Sequence, residues 1–301
     1  MVSVFLHGCW LLAAGCSVGA ASAETVLERV SGGGALVIAH RESSVPFSYL
    51  DAAGKPVGYA VDLCLHLAEV VRRKTGMKNM PVQFLQVTPA NRVDMVAQGK
   101  ADMECGSTTN NAARQKDVAF AVTTYVEEVR MAVKASSGIA AIKDLNGKTV
   151  ATTTGTTSVQ TLRKNERAGG LDFKEVYGKD HADSFLMVET GRADAFVMDG
   201  SILAANISKS KNPADFKVVG EVLSVEPIAC MLRKDDPAFK KAVDDSIKRQ
   251  IADGSLAKLY DKWFMQPVPP TNTKIGLPMS EATKNAWANP NDKPMEDYAK
   301  K

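Results

Sequence analysis

Four times in this chain a short apolar run breaks directly into a polar cluster, and this recurrence limits the fold more than any other feature. Leu36-Val37-Ile38-Ala39 runs into His40-Arg41-Glu42-Ser43-Ser44, and Ala101–Cys105 into Gly106-Ser107-Thr108-Thr109. Thr149–Thr153 opens into Gly155-Thr156-Thr157-Ser158, and Ala195–Met198 ends on Asp199-Gly200. Between these runs lie helical patterns. Val61–Thr75 places Val61, Leu65, Ala68 and Val71 near helical spacing, with Arg72, Arg73 and Lys74 in the last turn and Gly76 as terminator. Shorter helices are expected over Asn91–Gln98, Val159–Lys164 and Asp183–Thr190, the first and last stopping at Gly99 and Gly191. Strand, loop, helix, strand is the βαβ unit, and open α/β sheets bind ligands at the carboxyl ends of their strands.

The second half of the series repeats the design of the first, so two α/β lobes account for it better than one long sheet. The chain is expected to cross near Thr123-Thr124-Tyr125 and return near Val225–Ala229. That division gives a first lobe over residues 24–122 and 229–265, a second over 126–222, and crossing strands at 123–125 and 223–228. After the return, Ala238–Ile251 and Ser255–Phe264 read as amphipathic helices separated by Gly254, capping the first lobe. Residues 266–301 carry six prolines from Pro267 to Pro294, which predicts an extended tail wrapped on the first lobe.

Residues 1–23 contain no Lys, Arg, Asp or Glu and end in Ala21-Ser22-Ala23, the small-residue pattern of a secretory signal, although no basic residue precedes the apolar stretch. Ala13-Ala14-Gly15-Cys16 is a second, weaker exit as a lipoprotein box. No later stretch approaches the roughly 18 apolar residues needed to span a bilayer. The 37 basic and 34 acidic residues are interspersed, and the resulting net charge of +3 argues against a nucleic-acid partner. Export leaves Cys64, Cys105 and Cys230 in an oxidising compartment, where one disulfide and one free thiol is the natural count. With no CxxC, HExxH or His-rich tract, neither a metal nor a cofactor is expected.

The polar clusters could converge on one cleft. Arg41 and Arg114 offer planar forks matched to carboxylates, although an arginine taken singly is more often a solvated surface residue. Gly155-Thr156-Thr157-Ser158 would leave backbone N–H groups free at a helix N-terminus, where an anion is favoured, or would serve as an ordinary cap. Asp199 could accept from an ammonium or simply cap a turn. A zwitterion needs both signs within a few ångströms, and this set supplies both.

Four stretches carry a resemblance over nearly the whole chain after residue 23. They are His40–Tyr49, Glu104–Asn111, Lys179–Phe185 and Cys230–Asp236. In these the chain resembles the family 3 extracellular solute-binding proteins of amino-acid ABC transporters, in their glutamate/aspartate-binding branch. The resemblance implies a two-lobed periplasmic binding protein of type II that closes around its ligand by hinge motion and delivers it to an inner-membrane permease. A monomer is expected, since closing around one small ligand needs no second copy, and with no paired catalytic carboxylate set an enzyme is not. Carried over, Ser107, Thr109, Arg114 and Thr157 hold the α-carboxylate, Asp199 pairs with the ammonium, and Arg41, Arg92 and a protonated His181 grip the side-chain carboxylate. Affinity would then weaken as pH rises past the His181 pKa. The matched motifs around Cys105 and Cys230 imply that these two form the disulfide, leaving Cys64 free. Two departures stand out: Pro89 replaces a usual serine, and Ala60 follows Gly58-Tyr59 where an acid is usual, with Asp62 in place.

The alternatives are another dicarboxylate, a neutral amino acid such as glutamine, a small-carboxylate dehydratase on the same fold with His181 or Glu42 as its acid or base, and a sensing module of a receptor.

Overall fold

The computed structural model describes residues 24–298. The expected leader and its Cys16 lie outside the described residues. Thr25 opens α1 (Val26–Ser31) with a capping box closed by Glu28. The chain then lays down β1 (Leu36–His40), a small ribbon of β2 (Ser43–Ser44), β3 (Ser48–Leu50) and β4 (Pro56–Val57), α2 (Tyr59–Thr75), β5 (Val82–Gln86), α3 (Arg92–Ala97), β6 (Met103–Cys105) and β7 (Val118–Phe120). Next come β8 (Tyr125–Lys134), β9 (Thr149–Thr153), α4 (Thr157–Gly169), β10 (Lys174–Gly178), α5 (His181–Glu189), β11 (Ala195–Asp199), α6 (Gly200–Lys209) and β12 (Phe216–Ile228). Finally β13 (Met231–Arg233), α7 (Pro237–Ala252) and α8 (Ser255–Tyr260) return to the first sheet.

Two five-stranded sheets result, ordered β5-β1-β6-β13-β7 and β10-β9-β11-β8-β12. In each, the βαβ strands run parallel and the long-range strands run antiparallel. The inner parallel strands β9 and β11 are buried almost throughout, whereas the parallel edge strands β5 and β10 are mostly exposed or half-buried. Of the α2 positions expected on the buried face, Val61, Ala68 and Val71 are buried and Leu65 only partly so, while Leu63, Cys64 and Leu67 complete the buried face, and Gly76 closes the helix in the left-handed conformation at φ 70°.

Two segments join the lobes. Tyr125 at the start of β8 pairs with Ile228 at the end of β12, and Thr124 N–H donates to the Ile228 carbonyl at 2.9 Å. Aromatic packing fixes this junction: Tyr125 stacks on Phe264 with centroids 5.1 Å apart, and Phe264 on Tyr260 at 4.3 Å. Phe264 belongs to a π turn, Asp261–Met265, that replaces the last turn of the expected helix. Trp263 in the same turn donates its indole N–H to Asp62, and Lys262 pairs with that carboxylate. The second acidic position of the Gly58-Tyr59 motif therefore pins α2 to the helices that return from the second lobe.

The tail differs from the expected extended wrap. Between Pro278 and Pro290 the proline-free stretch forms α9 (Glu281–Ala288), capped by the Ser280 hydroxyl, which accepts from Thr283 N–H. This helix lies on the crossing strands rather than on the first lobe alone. Thr283 Oγ1 accepts from Val126 N–H, and the Trp287 indole donates to the Thr124 carbonyl, which also accepts from Tyr59.

The disulfide is also corrected. Cys64 bonds to Cys105, with Cα atoms 6.2 Å apart, and Cys230 is the free, buried thiol. Cys64 projects from the buried face of α2 onto β6, so helix-on-sheet packing selects it over a neighbour along the sheet. Burial pushes the Cys230 thiol up to about 12, and its sulfur lies 3.9 Å from that of Cys64. Among the described residues no helix is long and apolar enough to cross a membrane.

Candidate functional site

Most of the residues expected at the site sit where a strand gives way to a loop or where the following helix opens. From the first lobe, Arg41 follows β1, Ser107 and Thr109 follow β6, Arg92 opens α3, and Arg114 lies in a short 3-10 turn before β7. From the second, Thr157 opens α4, His181 opens α5, and Asp199 ends β11. All except Arg114 are buried, and Arg114 is half-buried.

The lobes meet through these side chains. Arg41 Nη2 lies 3.4 Å from His181 Nε2, Thr109 Oγ1 lies 3.3 Å from Thr157 Oγ1, and Arg114 Nη2 donates to the Gly155 carbonyl at 3.4 Å. Arg92 Nη1 donates to the Ser107 carbonyl at 3.4 Å, and Arg114 Nη1 to that of Thr109 at 2.7 Å. Gly155 makes the seam possible. At φ 79°, its missing Cβ would lie 2.6 Å from Ala90 Cα and 2.8 Å from the Pro89 carbonyl carbon in the facing lobe. Pro89 thus shapes the seam through its backbone. Together with Arg41, Lys179 and Asp180 it borders a cavity of about 70 Å³ at the rim.

Several buried polar atoms have no protein partner: Arg41 Nη1, Arg92 Nε, Ser107 Oγ, Glu104 Oε1 and Asp199 Oδ1. Unsatisfied groups of both signs in one closed cleft are the signature of a site built for a polar ligand. Asp199 stands at the N-cap of α6 without making a side-chain cap bond, and Thr156, at the N-cap of α4, donates its hydroxyl backwards to the Thr153 carbonyl. Neither the carboxylate nor the first N–H groups of α4 are therefore consumed by helix capping.

Electrostatics sharpens the picture. Burial, and then the neighbouring Arg92 guanidinium, pull Arg41 and Arg114 down to about 9; both remain cations at neutral pH but crave an anion. Burial lowers Arg92 as well, against the pull of Glu104, Asp199 and Glu226. Asp199 moves the other way, held well above the usual carboxylate range by burial and by Glu127 and Glu226.

His181 departs from expectation. Burial, and then the Arg41 and Arg92 guanidiniums, hold its imidazole well below its usual pKa, so the expected imidazolium does not form at neutral pH. With Nε2 facing the Arg41 donor, the proton belongs on Nδ1, which then donates to Thr153 Oγ1 at 3.2 Å.

Sequence reading missed three buried acids. Glu104 accepts from Thr108 Oγ1 at 2.6 Å and sits beside Arg41, an approach that Gly106 permits because a Cβ there would strike both side chains. Glu226, on β12, accepts from Thr109 and Thr157, each at 2.6 Å. Its register partner Glu127 binds Ser201 at the start of α6 and is raised to about 7, chiefly by burial. For Glu104 the available signal was a charge set between Met103 and Cys105 at the end of a strand run that is otherwise apolar enough to be buried.

Residues 36–266 match the family model for bacterial extracellular solute-binding proteins, family 3. The chain belongs to this family. Within family 3, it is 41% identical over 277 residues to the "Glutamate/aspartate import solute-binding protein" of Salmonella typhimurium, covering 92% of each chain. It is 42% identical over 271 residues to the "L-glutamate/L-aspartate-binding protein" of Pseudomonas aeruginosa, covering 90% of each. Among solved structures, a mutant of ArgBP from T. maritima superposes with a TM-score of 0.70 at 26% identity, covering 80% of this chain and 99% of that one. The family and these neighbours fix the two-lobed binding-protein architecture, and both curated relatives are named as binding proteins, so the dehydratase alternative is not the better supported.

Proposed function

We propose that this protein captures an acidic amino acid, glutamate or aspartate, in the periplasm and hands it as a monomer to an inner-membrane ABC permease. The observation that carries this reading is the set of three guanidiniums, Arg41, Arg92 and Arg114, facing Asp199 in one closed cleft with Arg41 Nη1 and Asp199 Oδ1 unpartnered. An acidic amino acid presents two carboxylates and one ammonium. Arg114, Ser107, Thr109 and Thr157 at the start of α4 receive the α-carboxylate, Asp199 the ammonium, and Arg41 with Arg92 the side-chain carboxylate. His181 holds Arg41 in place from the second lobe. The names of the two relatives agree with this choice.

Selectivity follows from what a neutral side chain leaves behind. Glutamine cannot neutralise the Arg41–Arg92 pair, and an uncompensated buried charge costs roughly 3–5 kcal/mol. A thermal-shift panel of the twenty amino acids on protein refolded free of ligand tests the reading. Glutamate and aspartate should raise the melting temperature most; a larger rise with a neutral or basic amino acid contradicts it.

A further inference from the structure

Glu226 lies where β12 enters the crossing segment, fully buried, and touches both lobes at once. Its Oε2 accepts from Thr109 Oγ1 of the first lobe and Thr157 Oγ1 of the second, and its Oε1 accepts from Ser224 Oγ at 2.7 Å. A hydroxyl has one proton to donate and two lone pairs. Once Thr109 and Thr157 have given their protons to Glu226, they can only accept from anything else in the cleft.

We propose that Glu226 sets the polarity of the Thr109 and Thr157 hydroxyls, so that they present lone pairs to a ligand ammonium and cannot donate to a carboxylate. This rests on the acidic amino acid reading and revises one part of it. The two threonine hydroxyls leave the α-carboxylate set and join Asp199 as the ammonium pocket, while Arg114 and the backbone at the start of α4 retain the carboxylate. Two further observations agree. Asp199 feels the Glu226 charge, so the two carboxylates share one neighbourhood, and Thr109 and Thr157 lie 3.3 Å apart, a spacing at which one ammonium can donate to both. Glu226 is thus a positioning residue that makes the cleft demand an α-amino group and reject a plain diacid of the same length.

The test compares glutamate with glutarate, its analogue lacking the amino group, by calorimetric titration of the full mature protein and two variants. In Thr157→Val the hydroxyl disappears without a change in charge. Glutamate affinity should fall by about tenfold or more while glutarate stays within about threefold, because only the ammonium loses a partner. In Glu226→Gln the ratio of glutamate to glutarate affinity should fall by about thirtyfold. If either variant weakens both ligands equally, the residue merely supports the closed form and the proposal fails. If the wild-type protein binds neither glutamate nor aspartate, the underlying reading fails and takes this one with it, an outcome distinct from an unchanged ratio in a protein that binds both.

Discussion

Gly155 lies against Ala90 across the interlobe seam so closely that a methyl group on Gly155 would sit 2.6 Å from the Ala90 Cα. Closure therefore depends on a missing side chain as well as on charged ones. Gly155→Ala should keep the lobes apart by a few tenths of an ångström or more and weaken glutamate binding by about tenfold, since a ligand affinity carries the cost of reaching the closed state. The strain at φ 79° is local to the second lobe, so the melting temperature of the empty protein should fall by only a few degrees, about what 1 kcal/mol produces. Titration calorimetry beside a thermal melt separates the two effects.

Arg41→Ala removes a buried cation whose free Nη1 points at no protein acceptor. Glutamate and aspartate affinity should drop on the order of a hundredfold, with glutamine affected far less. Equal losses for all three ligands would mean that Arg41 supports the fold instead of gripping a side chain.

The pH dependence has a definite sign. Burial beside the Arg41 and Arg92 guanidiniums holds His181 neutral, so its titration should leave affinity level between pH 6 and 8, contrary to the imidazolium expected from sequence. Asp199, by contrast, is held up by burial and by Glu127, and an ammonium requires its carboxylate form. Affinity is full above the raised pKa and is lost as pH falls through it, beginning above the ordinary carboxylate value of about 4. Binding then releases a proton, which titrations in buffers of different ionisation enthalpy will detect; Asp199→Asn should abolish both the release and most of the affinity.

Oxidised protein should yield a tryptic peptide pair joined through Cys64 and Cys105, with Cys230 alkylated only after denaturation. Replacing Cys105 by Ser should lower stability by about 2–4 kcal/mol in a denaturant titration, whereas Cys230→Ser should cost less than either half of the bridge.

Much of the site was legible because its chemistry falls at strand ends, and strand ends announce themselves. Arg41 follows an apolar run and Asp199 closes one, so their positions were read directly. Partner choice was harder. Cys64 lies on a helix whose buried face was legible, but which cysteine that face covers depends on where the helix crosses the sheet, and one-dimensional spacing does not encode that crossing. The start of α5 was placed two residues late, at Asp183; the cap is Asp180, whose side chain accepts from Asp183 N–H, and this puts His181 at the helix's first position and inside the cleft. Glu226 was invisible for a different reason: its partners Thr109 and Thr157 come from separate lobes, and only the crossing of β8 and β12 brings a hinge carboxylate between them. Proline density concealed α9, since counting prolines overlooks the uninterrupted stretch between Pro278 and Pro290.

The central claim is that the cleft is built for an amino acid with an acidic side chain. Calorimetric titration of the mature protein, unfolded and refolded to remove bound ligand, with glutamate, aspartate, glutamine and succinate tests it most directly. The account predicts one-to-one binding of glutamate or aspartate at least a hundredfold tighter than glutamine or succinate. Glutamine or succinate binding as tightly as the acidic amino acids would contradict the arginine grip or the ammonium pocket, respectively.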